Sequence, residues 1–223
     1  MSENKDQPDI FSIVECSFNI SVSADFKTAT HCQRITVKKE MEGTQCWSIA
    51  SKYKRPNFQL ISVIDEDGTH LQSDPLERPD QLAEYTISIT KNLNIDDPYT
   101  FTITFSQPLD GDSLFRMPLV NRTNYVLIPK AFSSLCPHLE IFVHFESKRI
   151  KVTNAYPKDC VKNNNGHEIE LVRDNVKPHE YINIFCVAEA GIMSQHIAKH
   201  LNNALWLIGG IVSSIIVTLL TGG

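Results

Sequence analysis

The residues best suited to binding a ligand form a run of cations interleaved with aromatic side chains. Between Lys27 and Arg55 seven residues are basic, and only Glu40 and Glu42 are acidic. An aromatic ring can stack on a nucleobase while neighbouring cations hold its phosphate. The pattern predicts a nucleotide- or oligonucleotide-binding surface, and its members are Lys38, Lys39, Trp47, Lys52, Tyr53, Lys54 and Arg55.

A second basic group follows much later in the chain and consists of Lys148, Arg149, Lys151, Lys158 and Lys162. It is predicted either to share the ligand-binding task or to face anionic lipid. For both groups the plain alternative is that solvated lysines protect strand edges from aggregation. The net charge of −5 argues against a protein that coats nucleic acid with its whole surface.

Neighbouring segments carry charge of opposite sign. Directly after the basic run, the stretch from Pro56 to Thr100 holds nine acidic residues against Arg78 and Lys91. A basic face on one subunit would complement an acidic face on the next. This arrangement predicts a homo-oligomer, as a ring or a filament.

Motifs for catalysis and for cofactors are absent from the sequence. It contains no G-x-S-x-G, P-loop, G-x-G-x-x-G after a strand, H-E-x-x-H or C-x-x-C. Neither Cys136 with His138 nor His31 with Cys32 has a second ligand pair at metal spacing. His196 and His200 stand four residues apart, but polar residues beside lipid headgroups explain them equally well. We therefore predict a protein that is not an enzyme and holds neither cofactor nor metal.

The elements that must position these residues are strands. In the run Tyr99 to Phe105, apolar residues alternate with threonines, which is typical of a half-buried strand. Ten such runs between Phe11 and Ala188 predict an all-β body, either a sandwich or a partly closed barrel, over residues 11–188. A split near residue 110 is possible, and residues 1–10 are polar enough for a disordered lead. Asp67-Gly68 and Ser147-Lys148 are predicted to form hairpin turns.

The end of the chain has a different character. The 24 residues from His200 to Gly223 include no Asp, Glu, Lys or Arg. Residues 191–203 predict an amphipathic stalk helix, and residues 204–221 predict a single transmembrane helix. One face of that helix is small and weakly polar, which favours close helix packing or, on assembly, a pore, with a plain anchor as the third alternative. This face consists of Gly209, Gly210, Ser213, Ser214 and Thr218.

The predicted location is a membrane, with the β body in the cytosol. The first ten residues lack an apolar stretch behind a basic start, so no secretory signal is expected. The six cysteines lie far apart, and free thiols are predicted.

A β-rich body at 11–188 joined to one short span resembles, in layout, the membrane effectors of bacterial antiphage systems that are controlled by nucleotide signals. The resemblance implies a protein of the bacterial inner membrane in which ligand binding controls oligomerisation of the spans into a channel or a membrane-disrupting assembly. The layout is also similar to the VAP proteins, with a β-sandwich and a C-terminal span. That alternative implies a tail-anchored adaptor whose body binds a peptide or protein partner.

Overall fold

Within the described residues, the β body contains thirteen strands and one short 3₁₀ turn at Arg55–Asn57. A computed structural model of the chain describes residues 10–24, 27–109, 124–130, 132, 134–146, 150–178, 180 and 182–190. The strands are β1 (Phe11–Val22), β2 (Thr28–Lys39), β3 (Cys46–Lys54), β4 (Gln59–Asp65), β5 (Ser73–Pro75), β6 (Leu82–Ser88), β7 (Pro98–Pro108), β8 (Asn124–Lys130), β9 (Cys136–Phe145), β10 (Ile150–Tyr156), β11 (Val161–Asn164), β12 (Glu168–Val176) and β13 (Ile182–Ala190). The predicted β-rich body is confirmed.

The strands form three sheets. The largest has seven strands in the order β11-β12-β9-β1-β2-β7-β4. Two smaller sheets follow the orders β10-β13-β8 and β3-β6-β5. All strand pairs are antiparallel except β1 with β9, which places Phe18 beside Ile141 across more than a hundred residues of chain.

The core lies on one face of the seven-stranded sheet. In β7, Tyr99, Phe101 and Ile103 are fully buried, whereas the threonines between them are half-buried, as the alternation predicts. Rings from the rest of the body pack onto this face. Trp47 of β3 meets Phe101 edge-on, with 5.8 Å between ring centroids. Burial of such an aromatic side chain contributes about 2 to 3 kcal/mol.

The predicted turn at Asp67-Gly68 is present. Gly68 has a φ of +81°, a left-handed conformation that glycine adopts without steric strain because it has no Cβ atom. The Asp65 carboxylate accepts hydrogen bonds from the backbone N–H groups of Asp67 and Thr69, at 3.0 and 2.8 Å. Lys91 binds Glu66 at 2.7 Å, so a cation of the same chain offsets part of the negative charge of this tip.

The second predicted turn, at Ser147-Lys148, is wrong as a hairpin. The strand before it, β9, pairs with β1 and β12, and the strand after it, β10, pairs with β13. A hairpin needs its two strands to pair with each other. Here the chain changes sheets instead.

Several predictions fall outside the described residues. These are the disordered lead apart from Ile10, the split near residue 110, the stalk helix, the transmembrane helix and its small face from Gly209 to Thr218. Within the residues that the structure describes, no helix is long and apolar enough to cross a membrane. The five cysteines whose side chains are described, Cys16, Cys32, Cys46, Cys136 and Cys160, are free thiols.

Candidate functional site

Two members of the predicted ligand surface, Lys38 and Lys39, point in opposite directions because successive residues of a strand do so. Lys38 projects outward, and its Nζ lies 2.7 Å from Asp96. The hydrogen bond to Asp96 raises the pKa of Lys38. Lys39 is only 2% exposed, and its Nζ donates to the Leu93 carbonyl at 2.6 Å and to Glu42 Oε2 at 2.9 Å.

The aromatic members of the predicted surface lie on β3 and turn toward the core. Trp47 and Tyr53 are half-buried and pack against the hydrophobic cluster. Burial raises the pKa of Tyr53. The ammonium of Lys52 lies 5.3 Å from the centre of the Tyr53 ring, where a nucleobase would otherwise stack.

The remaining cations are dispersed. Lys54 is exposed, whereas the Arg55 guanidinium donates to the Leu76 carbonyl. Lys148 and Arg149 lie outside the described residues. The backbone of Lys151 pairs with Glu189 on β13. The structure therefore does not bring Lys38, Lys39, Trp47, Lys52, Tyr53, Lys54 and Arg55 together as one surface.

A different set of side chains does converge, on the outward face of β9 and β12. Burial alternates along both strands, so every second residue faces away from the core. The outward residues of β9 lie opposite those of β12 in an antiparallel register. We call this set the β9–β12 patch; it comprises His138, Glu140, Phe142 and His144 from β9, and Glu168, Glu170, Val172 and Asp174 from β12.

Histidine–carboxylate pairs stand at both ends of the patch. His138 Nδ1 lies 2.6 Å from Asp174 Oδ1, and its Nε2 lies 3.2 Å from Glu140 Oε1. His144 Nδ1 lies 3.5 Å from Glu168. Between them Phe142 is 39% exposed, directly opposite Glu170. The patch thus combines an apolar centre with carboxylates.

Sequence reasoning missed this patch, although a signal for it is present. The four outward residues of β9 read His-x-Glu-x-Phe-x-His with period two. The sequence does not show that β12 pairs with β9, because β12 begins more than twenty residues after β9 ends.

Solved structures that share this fold include a leukotriene A4 hydrolase and an M1 zinc metallopeptidase, whereas neither a protein-family model nor a curated protein matches the sequence. Native leukotriene A4 hydrolase from Saccharomyces cerevisiae superposes on 84% of this chain with a TM-score of 0.54 and 11% identity. The M1 zinc metallopeptidase of Deinococcus radiodurans, bound to a Tyr-ser-ala substrate, superposes on 79% with a TM-score of 0.51 and 8% identity. The chain spans 32% of the yeast protein and 42% of the bacterial one. At these identities the likeness shows the fold alone.

Among the described residues, no three or more His, Cys, Asp or Glu side chains are arranged to hold a metal ion. The prediction that the protein is not an enzyme stays a prediction.

The ion pairs of His138 predict a measurable titration. The hydrogen bonds to Asp174 and then Glu140 raise the pKa of His138 above its ordinary 6.5. Because the folded-state pKa is raised, the ion pairs stabilise the fold fully below the unfolded-state pKa, and this is lost as the pH rises through the folded-state pKa. We expect Asp174→Asn to return the pKa of His138 toward 6.5 in an NMR titration, and Asp74→Asn to leave it in place. An unchanged pKa in Asp174→Asn would mean that the ion pair does not form in solution.

Proposed function

We propose that this protein is a tail-anchored adaptor, in which a β-sandwich body displays a protein-binding surface and residues 204–221 hold it in a membrane. The observation that carries the proposal is the β9–β12 patch, an outward sheet face with Phe142 39% exposed among carboxylates. Exposed aromatic side chains are enriched at protein interfaces, which makes such a face a reasonable binding surface.

The sandwich is itself part of the proposal. In the proposed sandwich, the seven-stranded sheet would form one layer and the two three-stranded sheets would form the other. The contact of Trp47 with Phe101 supports this arrangement for the sheet that contains β3. On the side of β1, Phe18 packs against Phe132, with 6.5 Å between ring centroids. The outward face of the large sheet is then available to a partner.

The second candidate is the signal-controlled membrane effector, assembled as a homo-oligomer. It is supported by the spacing of Gly210, Ser214 and Thr218, which places small side chains on one face of a helix. The exposed Lys54 would remain for a nucleotide or oligonucleotide. In this candidate the ligand controls how the spans associate in the bacterial inner membrane, with the body in the cytoplasm.

Dye uptake by bacterial cells that express the full chain separates the two candidates. An adaptor remains in the membrane fraction after an alkaline wash and leaves cells impermeable to propidium. An effector admits the dye, and the double variant Gly210→Leu with Ser214→Leu reduces uptake to the level of cells without the protein. The matched control is Ile211→Leu with Ile215→Leu, which keeps the apolar volume and leaves the small face intact.

Each outcome of the dye-uptake and fractionation measurements supports or overturns one of the two candidates. Dye uptake that the Gly210 and Ser214 variant abolishes would replace the adaptor by the effector. Dye uptake that survives in this variant would overturn both the adaptor and the proposed pore face. Recovery of the full chain in the soluble fraction would overturn the membrane anchor that both candidates share.

A further inference from the structure

We propose that the β9–β12 patch docks a basic segment of another protein, in which Lys or Arg residues flank an apolar side chain. The inference rests on the proposed adaptor function and names the chemistry of its partner. The apolar side chain would contact Phe142, and the cations would pair with the carboxylates around it.

Charge complementarity carries the choice of partner. Four carboxylates project from the patch, at Glu140, Glu168, Glu170 and Asp174. The only Lys or Arg within β9 and β12 is Arg173. Its guanidinium turns away to Glu180, at 2.5 Å, and to the Cys160 thiol. The outward face of these two strands therefore presents no permanent cation to a partner.

The histidines satisfy only part of this negative charge. His138 lies within ion-pair distance of Asp174 and Glu140, and His144 lies within ion-pair distance of Glu168. Within the part of the chain that the structure describes, Glu170 has no ion-pair partner. It stands directly opposite Phe142 in the register. The free carboxylate and the exposed ring are thus neighbours, about 5 Å apart between strands.

The surroundings of the patch also favour a protein partner over a small anion. On the far side of β9, Asn19 of β1 lies beside Phe142. The carboxylates on β12 repel phosphate, whereas these carboxylates and the Asn19 amide oxygen can accept hydrogen bonds from Lys and Arg. Exposed ion pairs are individually weak, so the apolar contact at Phe142 must supply part of the affinity.

The test uses the full chain in detergent micelles and three fluorescein-labelled synthetic peptides. The first has two lysines on each side of a central Leu-Trp pair. The second replaces that pair by two glycines, and the third replaces the lysines by glutamates. Fluorescence anisotropy at about 150 mM salt, where charges more than about 8 Å apart are screened, measures the dissociation constants.

We expect saturable binding of the first peptide that is at least tenfold tighter than that of the other two. Phe142→Ser and Glu170→Gln should each weaken it at least fivefold. The matched control is Ile61→Ser with Asp74→Asn, which removes an exposed apolar side chain and a carboxylate elsewhere and should leave binding unchanged. Unchanged thermal unfolding of each variant shows that the fold is retained, since both substituted side chains of the patch are on the surface.

Equal binding of the first two peptides, or equal loss in the patch and control variants, would overturn the docking site and indicate adsorption to a negatively charged protein. Absence of saturable binding would overturn it as well. The measurement in micelles does not depend on membrane anchoring or on dye uptake. Failure of the docking site is therefore distinguishable from failure of the adaptor function.

Discussion

Replacing Lys39 by methionine lowers the free energy of unfolding by about 2 to 3 kcal/mol. Methionine keeps the length of the side chain but cannot donate a hydrogen bond. The buried Leu93 carbonyl, which accepts from Lys39 Nζ at 2.6 Å, is then left without that donor. The backbone of Lys39 also connects the end of β2 to the loop that precedes β7, because the Asp96 N–H donates to the Lys39 carbonyl at 2.8 Å. Urea unfolding of the full chain, followed by intrinsic fluorescence, measures the change.

The adjacent residue provides the control. Lys38→Met removes an ion pair with Asp96, whose side chain is 72% exposed. Solvent screens such a pair, so we expect a much smaller loss of stability than for Lys39→Met. Equal losses for Lys38→Met and Lys39→Met would contradict the buried position of Lys39. A loss confined to Lys39 would assign that residue to the fold and remove it from the predicted nucleotide surface.

Replacing Phe105 by alanine lowers the free energy of unfolding by about 3 to 5 kcal/mol. Phe105 is 3% exposed and lies between two rings. Its centroid is 5.1 Å from that of Phe58 and 4.7 Å from that of His31, and both contacts are stacked. Alanine removes the transfer energy of the ring and leaves a cavity that neighbouring strands cannot close.

Phe142→Ala is the matched control, since it removes the same ring from the opposite face of the large sheet. Phe142 is 39% exposed, so we expect a clearly smaller loss than for Phe105→Ala, because less apolar surface is buried and no closed cavity is left. Comparable losses from the two variants would mean that Phe142 is covered in solution. A small loss for Phe142 would leave the ring available to a partner, as the docking proposal requires.

The strand pattern of the body could be predicted because hydrophobic alternation is a local property. The predicted runs begin at Phe11, where β1 also begins, and the alternation of Tyr99 to Phe105 correctly places those side chains inward. The residues of strand β3 are interpreted from the sequence as part of a ligand surface, because cations alternate there with aromatic side chains. In the structure it is an edge strand whose aromatic side chains face the core.

The sequence by itself determined which residues of a strand share a face. Ile35, Val37 and Lys39 have the same parity, and all three are buried. It could not show that an ammonium would be accepted there, because the Leu93 carbonyl that binds it is more than fifty residues away. The same holds for the β9–β12 patch, where parity places Phe142 and Glu170 outward but only strand pairing sets them side by side. The direction of a side chain is fixed within its own strand. Which strands pair with that strand is decided by the energy of the whole sheet, and only the tertiary structure contains that information.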